Sequence, residues 1–213
     1  MLDYGQSLKY PTEDENWIKK VVIGGLINIV PFVNLISVGY ALESMRAGID
    51  GQQVLPEWDN WGERFVNGLM VAVISLIYML VPMAIIVVGT LLGSAGSAMT
   101  GSGMAGLAAF GTTSLIGTLV ALVIGFFLPM AIANYVAQGN FGAAFEFGVI
   151  WNRIKSVMND YIITFVIYIV AFFILGLLNV IPILGFIIML LGSFYLLTVF
   201  NNIFGQLYRS SNQ

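Results

Sequence analysis

Three stretches of this chain carry no charged side chain: residues 21–42, 65–145 and 161–208. The charges gather between them, at 3–20, 43–64 and 146–160, with Arg209 near the C-terminus. A helix needs about 20 apolar residues to cross the hydrocarbon core of a bilayer. A charge at the centre of that core costs about 2.5–3.5 kcal/mol on insertion scales. The pattern predicts an all-α fold, a polytopic membrane helical bundle in a single integral membrane domain over 1–213.

The two longer runs divide at turn-forming residues. Residues 65–92 predict one span and 107–137 its return, with a Gly/Ser outer linker at 93–106, where small uncharged residues have the composition of a flexible connection. The last run breaks at Asn179, Pro182 and Gly185, giving spans at 161–180 and 183–208. Residues 1–17 form a polar N-terminal tail, and no cleavable leader is expected in it. Residues 48–64 read as an interfacial loop. Residues 138–160 read as a cytoplasmic interfacial helix, with Phe141, Phe145, Val149 and Ile154 at roughly helical spacing.

Residues 18–47 allow two readings. The length of 21–42 suits a first span, which would make five in all. Its centre, however, holds Asn28, Pro31 and Asn34, a turn signal. A Pro-centred hairpin there has two arms too short to cross alone, so it would be re-entrant, beside about four full spans. Charge placement favours the hairpin. With it, all eight Lys and Arg residues fall on one face, as the positive-inside rule asks. Both termini are then expected in the cytoplasm and the chain in the cell membrane. The heptad Leu26 to Phe32 is echoed by Leu177 to Ile183, with Asn and Pro in the same places.

Composition narrows the chemistry. The chain is 59% hydrophobic and 9% charged, without histidine or cysteine. That removes the commonest general base and metal ligand, and every thiol. No group that is ionisable near neutral pH falls inside a predicted span, where proton- and ion-coupled pumps carry them. The net charge of −3 argues against a nucleic-acid partner, which needs a basic footprint. No catalytic, cofactor-binding or metal-binding residue is assigned.

Structural roles are predicted for several others. Trp17, Trp58, Trp61 and Trp151 are candidate interfacial anchors, since indoles favour the headgroup region. Trp58 and Trp61 sit three apart, and Asn60 with Glu63 has the spacing of a capping box. Pro82 and Pro129 should kink their helices. Gly89 with Gly93, and Gly117 with Ala121 and Gly125, are small-residue packing faces. Glu57, Asp59 and Glu63, with Glu43, could form a cation or partner site. Glu146 is expected to point to water or to pair with Arg153, with a carboxylate set in a cleft as its sharper role.

Several motifs run in the order of a known family. Trp17 to Lys20, Ile23-Gly-Gly25, Gly39-Tyr40 and Leu55-Pro-Glu-Trp-Asp59 resemble the N-terminal half of the prokaryotic multi-pass membrane family called domain of unknown function 4013. Pro129-Met-Ala131, Ala144-Phe-Glu-Phe147, Ile181 to Gly185 and Phe204 to Arg209 resemble its second half. The resemblance implies a multi-pass membrane protein and supplies no activity. A non-catalytic scaffold, assembly factor or accessory subunit is expected, with a bilayer-shaping role for the hairpin. The alternative is a channel or carrier for a neutral or lipidic solute. The expected partners are membrane lipids, further copies of the chain or other membrane proteins.

Overall fold

The computed structural model describes residues 2–212. Among them are eight α-helices, two short 3-10 turns and no strand. The helices are α1 (Tyr4–Lys9), α2 (Trp17–Asn28), α3 (Asn34–Asp50), α4 (Trp61–Thr100), α5 (Gly103–Gln138), α6 (Phe147–Ser156), α7 (Met158–Leu178) and α8 (Leu184–Ser210). Four of them, α4, α5, α7 and α8, are long and apolar enough to span a membrane. The outward faces of these four are apolar: Leu91 in α4, Leu107 and Val123 in α5, Phe173 and Leu177 in α7, and Phe186 in α8 are all more than half exposed. Water would not tolerate such a surface, whereas lipid solvates it.

Residues 18–47 form a helical hairpin, not one helix. α2 has 12 residues and α3 has 17. The hydroxyl of Ser37 donates to the carbonyl of Gly24 at 3.1 Å, which sets the two arms antiparallel about the turn. Pro31 has no N–H to extend the α2 ladder, and Phe32 has φ 66. The α7–α8 turn repeats this construction. Val180 and Ile181 donate to Leu177 and Leu178, as Ile29 and Val30 donate to Leu26 and Ile27. Ile183, which follows Pro182, has φ 62. The echoed heptads thus encode one turn used twice.

The single domain expected from composition divides into two compact units. One comprises the chain up to Ala72 and from Pro129 onward; the other is residues 73–128. In the first, α8 is the central element. α3 crosses it closely, because Gly48 and Gly205 have no side chains to hold the backbones apart. A Cβ on Gly48 would stand 2.1 Å from the carbonyl oxygen of Asn202, and one on Gly205 2.1 Å from that of Met45. The polar N-terminal tail is not loose. It folds as α1 and a 3-10 turn (Tyr10–Glu13), held by bonds from Tyr10 to the Thr198 carbonyl and from Tyr195 to the Leu8 carbonyl.

The second unit corrects the outer linker. Residues 93–100 continue α4 and 103–106 begin α5, leaving only Gly101 and Ser102 between them. The small residues here are a contact surface. Gly89 faces the Thr113 side chain, Gly93 faces Gly106 and Ala109, and Gly117 faces Ile86. Ser94 and Thr100 turn their hydroxyls back to the helix carbonyls of Leu91 and Gly96, so they cost the helix little polarity in lipid. Gly125, predicted on the same face, meets open space. Pro82 and Pro129 lie inside continuous helices.

The interfacial helix at 138–160 is likewise divided. A 3-10 turn covers Phe141–Phe145, α6 follows, and α7 starts at Met158, earlier than 161. α6 buries Ile150 and Ile154 and exposes Phe147, Val149 and Trp151.

Candidate functional site

The most specific constellation is a cage of charges around the segment 55–64. α3 ends at Asp50 with Gly51 in a left-handed C-cap (φ 78). The chain then runs without helix to Trp61, crossing the N-terminal end of α2 and the side of α3. Arg64, in the first turns of α4, is fully buried. Its Nε and Nη2 donate to the two carboxylate oxygens of Glu43 at 2.7 and 2.6 Å, a bidentate pair. Nη2 also reaches Asp59 at 2.9 Å and the carbonyl of Glu57. The guanidinium lies over the rings of Tyr40 and Trp58, 5.0 and 5.5 Å from their centroids.

Lys20 closes the other side. It is 3% exposed and bonds Asp14 and Glu57, each at 2.6 Å. Burial works against its charge, but the hydrogen bonds to Asp14 and Glu57 and their coulombic pull outweigh it, so its pKa is raised. Asp14 shows the counterpart: burial alone would raise it, and the bonds from Lys20 and the Asn16 N–H hold it below the ordinary carboxylate value.

Aromatic packing ties the two charged centres together. Trp58 stacks on Tyr40 with centroids 4.4 Å apart and donates its indole N–H to the Lys20 carbonyl at 3.0 Å. Tyr40 donates to the Pro56 carbonyl at 2.7 Å. Trp58 is therefore an internal strut more than an outward anchor. It lies outside any helix, so its spacing from Trp61 does not place both on one helical face. Asn60 has φ 46, which is not the extended backbone of a capping box.

The predicted carboxylates divide accordingly. Glu57 and Asp59 are taken by Lys20 and Arg64. Glu43 and Glu63 line a polar cleft of about 300 Å³ with Arg46, Asn67 and Tyr135. Arg46 donates to the Val136 carbonyl there. No group of His, Cys, Asp or Glu suited to a metal ion occurs among the described residues. The cage fastens the N-terminal tail at Asp14, α2, α3, the segment 55–60 and the start of α4 together.

Glu146 does not pair with Arg153. It accepts from the amides of Asn134 and Gln138 at 3.2 and 3.0 Å. Asn134 is fully buried and also holds the Ala143 carbonyl and the Tyr208 hydroxyl, both at 2.8 Å. This network ties the end of α5 to α8. Arg153 instead lies 4.1 Å over the Tyr208 ring and donates to Ser211 and Asn212. Of the other predicted anchors, Trp61 and Trp151 are exposed, while Trp17 rests edge-on against Tyr195, 6.4 Å between centroids.

Composition pointed to none of Lys20, Arg64, Tyr40, Asn134 or Asn202 as a buried polar group. Leu55-Pro-Glu-Trp-Asp59 is nonetheless the most specific motif of the sequence, and the cage is built on it together with Tyr40. No curated protein and no solved structure matches the chain. The family model described as a protein of unknown function (DUF4013) matches residues 23–184. Beginning at the first Gly-Gly hairpin arm and ending at the second proline turn, that match covers most of the chain, which is a member of this family.

Proposed function

We propose that this protein is a non-catalytic scaffold of the cell membrane, whose α2–α3 hairpin is a re-entrant wedge set into one leaflet. The hairpin itself carries the proposal. Arms of 12 and 17 residues reach about 18 and 26 Å at about 1.5 Å per residue, short of the roughly 30 Å hydrocarbon core. Yet the tip is apolar and uncovered: Ile29, Val30 and Phe32 are 50, 49 and 79% exposed. A tip of that kind belongs in lipid, and the cage of Arg64 and Lys20 fixes the base of the hairpin to α4. Volume added to one leaflet only would bend or thin the bilayer. α6, with Phe147 and Trp151 outward, would lie on the cytoplasmic surface beside it.

A Phe32→Cys variant tests the wedge in reconstituted vesicles, one sample carrying a bimane label on the sulfur and a second left as the free thiol. Quenching by lipids bearing a quencher deep in their acyl chains is expected, with no access for water-soluble thiol reagents from either side. Ready labelling by an aqueous reagent overturns the re-entrant placement. Vesicles that stay round at high protein density remove bilayer shaping, and protein-dependent uptake of a neutral solute replaces the scaffold by a carrier.

A further inference from the structure

The polar cleft beside the cage holds two opposite charges that the fold does not pair. Its walls come from α3, the first turns of α4 and the last turns of α5, all within the first compact unit. Its volume of about 300 Å³ stands at the lower end of small-molecule sites. Glu43 is already neutralised there, since both of its oxygens accept from Arg64. Arg46 and Glu63 differ. Both are exposed and line the cleft, yet neither forms an ion pair among the described residues. Arg46 donates from Nη2 to the Val136 carbonyl, which leaves its Nε and Nη1 without a partner among the described residues. The Glu63 carboxylate, the Asn67 amide and the Tyr135 hydroxyl likewise make no hydrogen bond among the described residues.

The cleft sits where α4 meets lipid. Val66 and Leu69, 49 and 40% exposed, follow Glu63 by about 5 and 9 Å along the helix, at about 1.5 Å per residue. Trp61 is exposed in the same turn as Glu63, and indoles favour the headgroup level. The headgroup layer is about 5–8 Å deep on each side of the hydrocarbon, so the two charges stand at headgroup depth. A ligand that satisfies both carries an anion for the guanidinium and a cation for the carboxylate. Its cation must also offer N–H donors, because the Glu63 carboxylate, the Asn67 amide and the Tyr135 hydroxyl all present acceptor oxygens. A quaternary choline has no N–H and is recognised by several aromatic faces, whereas the described lining has the one ring of Tyr135.

We infer that this cleft binds the headgroup of phosphatidylethanolamine, with the phosphate on Arg46 and the primary ammonium on Glu63, Asn67 and Tyr135. The chemistry recognised is an ethanolamine phosphate, and the depth of the cleft assigns its source to lipid. The inference rests on the chain being bilayer-embedded; it does not depend on the hairpin being a wedge or on the protein being a scaffold.

Native mass spectrometry tests it, on protein released into detergent from nanodiscs holding phosphatidylethanolamine, phosphatidylcholine and phosphatidylglycerol in equal amounts. Wild-type chain should retain phosphatidylethanolamine about tenfold over each of the others, a difference of about 1.4 kcal/mol. Glu63→Gln removes the carboxylate without breaking a bond of the fold. It should abolish the preference over phosphatidylglycerol, which brings a phosphate and no ammonium. Glu15→Gln, the same charge change at an exposed position outside the cleft, should leave the preference intact. Soluble phosphoethanolamine at the concentration of the lipid should not displace it; displacement that Glu63→Gln abolishes would assign the cleft to a free zwitterion and overturn the lipid source. Equal retention of the three lipids by unaltered protein overturns the site without any variant, and so does a preference that survives Glu63→Gln. A chain that stayed dispersed without detergent would instead overturn the membrane reading beneath it.

Discussion

Arg64 and Glu43 form a pair whose members are unequally placed, and that inequality has a measurable consequence. The Arg64 side chain is 1% exposed and that of Glu43 34%. Removing Arg64 leaves two carboxylates that water can reach. Removing the charge of Glu43 leaves a buried guanidinium with only Asp59, its own partner 62% exposed, to balance it. Breaking a buried pair in that way costs about 3–5 kcal/mol, and the exposure of Glu43 places the cost toward the lower end. Glu43→Gln is therefore expected to lower the unfolding midpoint in detergent more than Arg64→Met, whose side chain can still pack on Tyr40 and Trp58. Arg64→Lys should not restore wild-type stability, because an ammonium cannot bond both carboxylate oxygens in the plane between the rings. Equal losses from Glu43→Gln and Arg64→Met would show that the cage is not a buried-charge device. None of this asymmetry was legible from residue order. The acids at 57, 59 and 63 looked alike, and only the fold decides which meets Lys20, which meets Arg64 and which faces the cleft.

Helices and turns were legible to different degrees, for physical reasons. The charge-free runs mark α4, α5, α7 and α8 because lipid excludes charge from each of them separately. The two proline turns were legible because proline breaks the helix ladder wherever it ends an arm. The Gly/Ser stretch at 93–106 was misleading because its composition has two meanings. In water such residues give a flexible connection, whereas between two apolar helices they permit close approach. Contact, not composition, therefore decides what a glycine does, and two helical glycines show it. Gly205→Ala places a methyl against the Met45 carbonyl at the α3–α8 crossing and should cost about 1–3 kcal/mol through overpacking. Gly125→Ala meets open space and should be neutral or stabilising by up to about 1 kcal/mol, the helix preference of alanine over glycine. Thermal unfolding of both variants in one detergent checks the contrast; a stabilised Gly205→Ala would mean that the crossing is looser than described.

For the whole molecule, the governing quantity is the placement of charge relative to lipid. α4 has 40 residues and reaches about 60 Å, about twice the hydrocarbon thickness, so its two ends must lie on opposite sides of any bilayer that it crosses. Its first turns hold Glu63 and Arg64, and its last residues, around Met99, hold no charge. With the α2–α3 hairpin re-entrant, as proposed, all eight Lys and Arg residues would share the face of those first turns, including Lys9 and Arg209 near the two ends of the sequence. A cysteine-free sequence makes this directly testable, since single cysteines introduced at exposed positions report without background. Lys9→Cys, Gly62→Cys and Asn212→Cys are expected to react with a membrane-impermeant thiol reagent only from the cytoplasmic side, and Met99→Cys only from the other. A first span in place of the hairpin would move Lys9 to the side of Met99 and leave Gly62 where it is. Reaction of the Lys9 and Met99 variants from the same side would therefore reject the hairpin layout, while leaving α4 as a membrane-crossing helix.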